Sequence, residues 1–271
     1  MTAQSWMSWL ALDTWSNAVR ISALAGALPV LALRSCMEPA TFSWWTARGQ
    51  TLAAAFMLHA ALEMVYEAVH TDVGDAVLGG VAGLFLLLSL SVMEHLLHLV
   101  YKGATGAIIM YVVSVYVSVH CAVEGMMLGV SGQTRVLVAI CVHNVPECAA
   151  MMASMCSRID VSRKKKGQRK DERLWVRMLL LFAVVCSHQP QITVAAISQR
   201  DQLKDIPGWV FGGAAGYILG MCAWDLIPEA LAGARLHNVS TIRWAGHLLM
   251  YMAAIEALGW LLVGPNQQSF F

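Results

Sequence analysis

Residues 136–157 read VLVAICVHNVPECAAMMASMCS, an apolar run broken at its centre by His143-Asn144-Val145-Pro146-Glu147. An apolar stretch of ~20 residues is long enough to cross ~30 Å of hydrocarbon as a helix. The preceding run, 107–130, has the same character and carries His120-Cys121-Ala122-Val123-Glu124-Gly125. In both, a histidine and a glutamate stand four residues apart, on one helix face about a turn from each other. A charge at mid-bilayer costs ~2.5–3.5 kcal/mol even on insertion scales, so these groups need a partner or a task.

Six further runs lie outward from this pair, near 10–33, 51–69, 76–100, 174–197, 209–231 and 244–263, which makes eight predicted spans. Composition agrees with that reading. Of 271 residues, 58% are hydrophobic and 13% charged, with a mean hydropathy of +0.60. Soluble domains carry roughly a quarter charged residues, so this chain cannot wet the surface of a globule its size. The same numbers exclude disorder, coiled coil and a secreted disulfide scaffold. The runs are continuously apolar rather than alternating, which argues against a membrane barrel. The expected fold is therefore all-α and integral to a membrane, with a single domain over 1–271.

A net charge of +1 offers no field to recruit nucleic acid. Seven cysteines, none in a CxxC, fit buried structural thiols better than a disulfide framework. The start lacks a basic n-region and a small-residue cleavage site, so the first span is expected to be retained. The connections 71–75, 101–106 and 131–135 are short, whereas 158–173 is strongly basic and reads as a solvated cytosolic loop. Loops after spans 1, 3, 5 and 7 hold 14 basic residues against 3 in the alternate loops. The positive-inside rule then places both termini away from the cytosol.

Two imidazoles and two carboxylates on consecutive spans form a ligand set suited to Zn²⁺ and other borderline divalent ions. Intrahelical His–Glu hydrogen bonds would also satisfy a single pair. Two pairs, one with an Asn and a Pro inside it, favour His120, Glu124, His143 and Glu147 as metal ligands. Pro146 frees the carbonyl of Val142, a group tolerated in a membrane only when buried in protein or facing a wet cavity. Further ionisable groups occur in span 2, with His59, Glu63 and Glu67, and in span 7, with Asp225-Leu226-Ile227-Pro228-Glu229-Ala230. The shared acid-x-x-x-Glu-Ala pattern fits an inverted repeat relating the first and last three spans. Span 6 holds Ser187-His188-Gln189-Pro190. The glycines of Gly212-Gly213-Ala214-Ala215-Gly216 read as a close helix contact.

The HxxxEG of span 4, the HNVPE of span 5, the polar-Pro element of span 6 and the DLIPEA of span 7 together resemble the ZIP family of divalent metal transporters. The resemblance implies eight helices in a 3+2+3 arrangement, with His120, Glu124, His143 and Glu147 as the principal site. It also implies that a second site would draw on Cys121, Asn144 and the helix 6 position occupied here by Gln189. That position lacks the family's acid, which favours one principal metal. His188, His59, Glu63 and Asp225 are weaker candidate ligands.

The function expected is import of Zn²⁺ into the cytosol by alternating access, with Fe²⁺, Mn²⁺ and Cd²⁺ as other candidate substrates and no cofactor. The partners are the metal and the bilayer of a plasma or organelle membrane, and small-residue helix faces leave a homodimer open. The protein is not expected to be an enzyme. A zinc-dependent intramembrane hydrolase would use HExxH, and His95-Leu96-Leu97-His98 has leucine where the glutamate belongs. A metal sensor or scaffold that no longer moves ions is the other alternative.

Overall fold

The computed structural model describes residues 3–100 and 207–263, together with single positions between 122 and 195. Most of the predicted spans 4 to 6 and the basic loop 158–173 lie outside the described residues. All regular structure among the described residues is helical: α1 (Ala3–Cys36), α2 (Pro39–Thr71), α3 (Val73–Val100), α4 (Pro207–Met221), a π-turn (Cys222–Leu226), α5 (Ile227–Leu236) and α6 (Thr241–Val263). Among the described residues, three stretches are long and apolar enough to cross a membrane, Ala40–Thr71, Val73–Met93 and Gly208–Leu236. The last is one span made of α4, the π-turn and α5.

The helix ends follow from local chemistry. Pro39 opens α2 at a position where no amide donor is needed, and Glu38 before it is extended. The helix begins well before the apolar run at 51–69, on a segment rich in tryptophan. There the Arg48 guanidinium lies 3.9 Å over the Trp44 ring, an aromatic–basic pairing suited to the membrane interface. One residue, Asp72, separates α2 from α3. It is extended, and its Oδ1 accepts the amide of Asp75 at 2.9 Å, capping the new helix. Near the other end of the chain, Pro228 has no amide to offer Trp224. The ladder widens by one residue there, and the Ile227 amide donates to Cys222. Asn238, with φ 58°, closes α5 in the left-handed conformation, and the Val239 amide returns to the Ala234 carbonyl.

Helices α3 and α4 run side by side in the same direction. A Cβ on Gly83 would strike the Gly213 carbonyl, and one on Gly216 would strike the Gly80 carbonyl. Hydrocarbon gives no hydrophobic drive between helices, so backbone contact through small residues is what holds such a pair. Helix α2 covers this pair, and Met57, Ala61 and Met64 meet Leu87, Tyr217, Ile218 and Met221 in one buried cluster. Helix α6 is held to α2 by the Trp244 indole, which donates to Thr51 Oγ1 at 3.1 Å in a buried position. It also packs on α5, with Trp244 against Ala230 and Ala234.

Helix α1 touches α2 only slightly among the described elements. Its partner is the fifth predicted span: Val19 clusters with Leu137 and Ile140, and Gly26 sits against the Val145 carbonyl. An apolar cavity of about 420 Å³, lined by Val30, Met37, Trp45 and Ala153, lies between these two groups of helices. Facing outward, α3 exposes Val77, Val81, Phe85 and Leu88, as a lipid-facing helix does.

Candidate metal centre

Helix α2 carries His59 and Glu63 one turn apart, so their side chains share a face. Whether they meet anything else depends on the helix alongside. Trp244 and Ile255 of α6 are both buried. They stand about three turns apart, on nearly the same stripe. Glu256, next to Ile255, is thereby set at the edge of the α2–α6 seam, where its carboxylate reaches His59.

The resulting geometry is a cluster of three donors. His59 Nε2 is 3.5 Å from Glu256 Oε2 and 3.9 Å from Glu63 Oε1. One donor atom from each residue falls within 4.8 Å of the others. The side chains grade outward: His59 is 14% exposed, Glu63 29% and Glu256 49%, so the cluster opens on one side. His59 Nε2 is itself sealed from solvent and has no hydrogen bond. Its carboxylate neighbours are at ion-pair rather than hydrogen-bond range.

An imidazole nitrogen with two carboxylate oxygens is the donor chemistry of zinc and its neighbours. Ligand bonds of about 2.1 Å in a tetrahedral site put donor atoms roughly 3.4 Å apart. The His59–Glu256 separation of 3.5 Å meets that figure, whereas Glu63, 3.9 Å from His59 in a cluster up to 4.8 Å across, would have to move inward to complete the set. The nitrogen disfavours Mg²⁺ and Ca²⁺, which take oxygen ligands.

The sequence reading named His59 and Glu63, and the structure brings them together; it missed Glu256. The signal was present, because Glu256 is a lone acid within the apolar run 244–263 and falls under the same cost rule that singled out the others. Asp225 is half-buried in the π-turn and does not join this cluster. Glu229, one turn further on, accepts from Gln50 Nε2 of α2 at 3.1 Å. His237, given no metal role, bonds Ser43 Oγ at 3.2 Å across the α2–α5 contact.

His120, Cys121, Glu124, His143, Glu147, His188 and Gln189 lie outside the described residues. Asn144 and Pro146, from the same five-residue motif, are described and helical. Asn144 is buried, and its Nδ2 donates to Ser22 Oγ of α1 at 3.4 Å. As a metal ligand Asn144 would therefore offer its carbonyl oxygen.

No family model matches the chain. It is 27% identical over 231 residues to an Arabidopsis thaliana protein described as a "Putative zinc transporter". The match covers 80% of this chain and 34% of that protein, so the chain spans about a third of the length of the curated relative it matches.

Proposed function

We propose that this protein is a divalent metal transporter of the ZIP type that carries Zn²⁺ toward the cytosol. The observation that carries this reading is a His–Glu–Glu donor cluster between two helices, one of them long and apolar enough to cross a membrane. The relative described as a zinc transporter supports it.

The principal transport site is assigned to His120, Glu124, His143 and Glu147, with Asn144 beside it. The glutamates would offset the ion's charge and the imidazoles would select against Mg²⁺ and Ca²⁺. Protons compete for the same imidazole and carboxylate donors, so acidification on the loading side weakens uptake. The eight-span reading gains support from α3 and α4. Helices that run in the same direction need an odd number of crossings between them, and three predicted spans supply it.

The same geometry suggests how alternate access is achieved. Helix α1 packs on the fifth span, whereas α2 to α6 pack on one another. The first group carries Asn144 and its motif and would move against the second.

Zinc influx into sealed vesicles holding the purified protein, beside Glu147→Gln and His120→Ala, tests the reading. Saturable influx that both variants lose is expected, with Fe²⁺, Mn²⁺ and Cd²⁺ as competitors to rank selectivity. Correctly folded protein that binds zinc without influx would overturn transport and leave a sensor or scaffold.

A further inference from the structure

The principal site proposed above belongs to the fourth and fifth spans, and nothing in it requires α6. The three-donor cluster is built from different residues, on α2 and α6. We propose that His59, Glu63 and Glu256 form a second, independent site for a borderline divalent cation such as Zn²⁺ or Cd²⁺. Its role as the first station an incoming ion meets rests on the transport reading; its binding does not.

Three observations carry the site. First, the donors come from two helices whose relative rotation is fixed by other contacts, chiefly Trp244 to Thr51. The cluster is thus held in place by packing and does not depend on a flexible loop. Second, His59 Nε2 is sealed from water yet has no hydrogen bond. A buried imidazole nitrogen in that state is costly unless a partner satisfies it. A metal ion between it and Glu256 does so at the spacing found. Third, exposure rises from His59 through Glu63 to Glu256, which leaves one side from which an ion can approach and depart.

Position supplies the role. His59 and Glu63 lie in the second half of α2, which ends at Thr71, and Glu256 in the second half of α6. The charge asymmetry of the loops places those helix ends away from the cytosol. An ion moving inward would encounter this half of the molecule first. Two carboxylates there raise the local cation concentration, and a single imidazole with an incomplete ligand set binds without holding the ion permanently.

The test counts metal on the full-length protein in lipid nanodiscs, with Zn²⁺ and Cd²⁺ as probes, by equilibrium dialysis and elemental analysis. Glu147→Gln removes the principal site and leaves this one. In that background one ion per chain is expected to remain, and adding Glu256→Gln should release it or weaken its affinity at least tenfold. Glu256 is half-exposed, so its replacement by glutamine is compatible with folding, and unchanged thermal unfolding of the metal-free protein checks this. His59→Ala should reproduce the loss. In wild-type vesicles Glu256→Gln should raise the half-saturating zinc concentration at least threefold with little change in maximal rate. Equal metal content and affinity with and without Glu256 would overturn the site. Loss of thermal stability with no change in metal would also overturn it, leaving only a structural ion pair. Absence of influx in the wild-type protein, with the Glu256-dependent ion still bound, would overturn the transport reading while the site stands.

Discussion

Asn144 donates to the hydroxyl of Ser22, 3.4 Å away and 122 residues earlier in the chain, and that hydroxyl in turn donates to the Val19 carbonyl at 2.8 Å. Both side chains are buried. The chain of bonds ties the centre of the HNVPE motif to α1, at the level where Gly26 brings the two backbones together. Ser22→Ala removes the acceptor and is expected to cost about 1 kcal/mol. Ser22→Thr keeps the hydroxyl. Thermal unfolding in detergent should rank wild type and Ser22→Thr above Ser22→Ala, and zinc influx should follow the same order.

The contact of α3 with α4 allows no side chain at Gly83. Gly83→Val would drive its branches into the Gly213 carbonyl, and overpacking of this kind costs about 3 kcal/mol where the backbone cannot yield. Size-exclusion profiles should show aggregated or degraded protein. Gly246 on α6 is the control, since a Cβ there meets nothing within 4 Å. Gly246→Ala should leave stability unchanged or raise it by up to about 1 kcal/mol.

Thr51 accepts from the Trp244 indole while donating to the Ala47 carbonyl at 2.9 Å. Thr51→Val preserves shape but strands a buried N–H, at a cost of about 1–3 kcal/mol. Because this bond sets the rotation of α6, the same variant should also weaken metal bound at Glu256. Thr51→Ser should retain both. Paired measurements of unfolding temperature and of cadmium affinity in the Glu147→Gln background distinguish the two effects.

The identity of residue 189, a glutamine, bears on the number of metals at the proposed principal site. Gln189→Glu restores an acid where the family resemblance expects one. One additional zinc per chain, or a changed ranking of Fe²⁺ against Zn²⁺ in competition, is the expected outcome. Unchanged stoichiometry and unchanged selectivity would count against that account of the missing ligand.

Hydropathy located α3, the start of α4 and the end of α2 to within a few residues, because crossing hydrocarbon demands a continuous apolar run whatever its neighbours are. The close glycine contact was also legible in Gly212 to Gly216, since small residues at that spacing have few other uses in a membrane helix. Boundaries were less so. Helix α2 begins at Pro39 rather than near residue 51, because Trp44, Trp45 and Arg48 continue the helix through the interface, where apolar character is not required.

The site divides along the same line. His59 and Glu63 were visible as a pair because both lie on one helix, and a separation of four residues fixes their relation without reference to anything else. Glu256 could be seen as an acid in an apolar run, but not as their partner. What joins it to His59 is the rotation of α6 about its own axis and its register along α2, both set by Trp244 against Thr51, Ala230 and Ala234. Sequence alone determined that this chain forms helices long and apolar enough to cross a membrane and that metal-type donors interrupt its apolar runs, because those properties are local to each helix. Only the tertiary structure decided which donors meet, because the rotation and register of one helix against another come from packing between residues far apart in the chain.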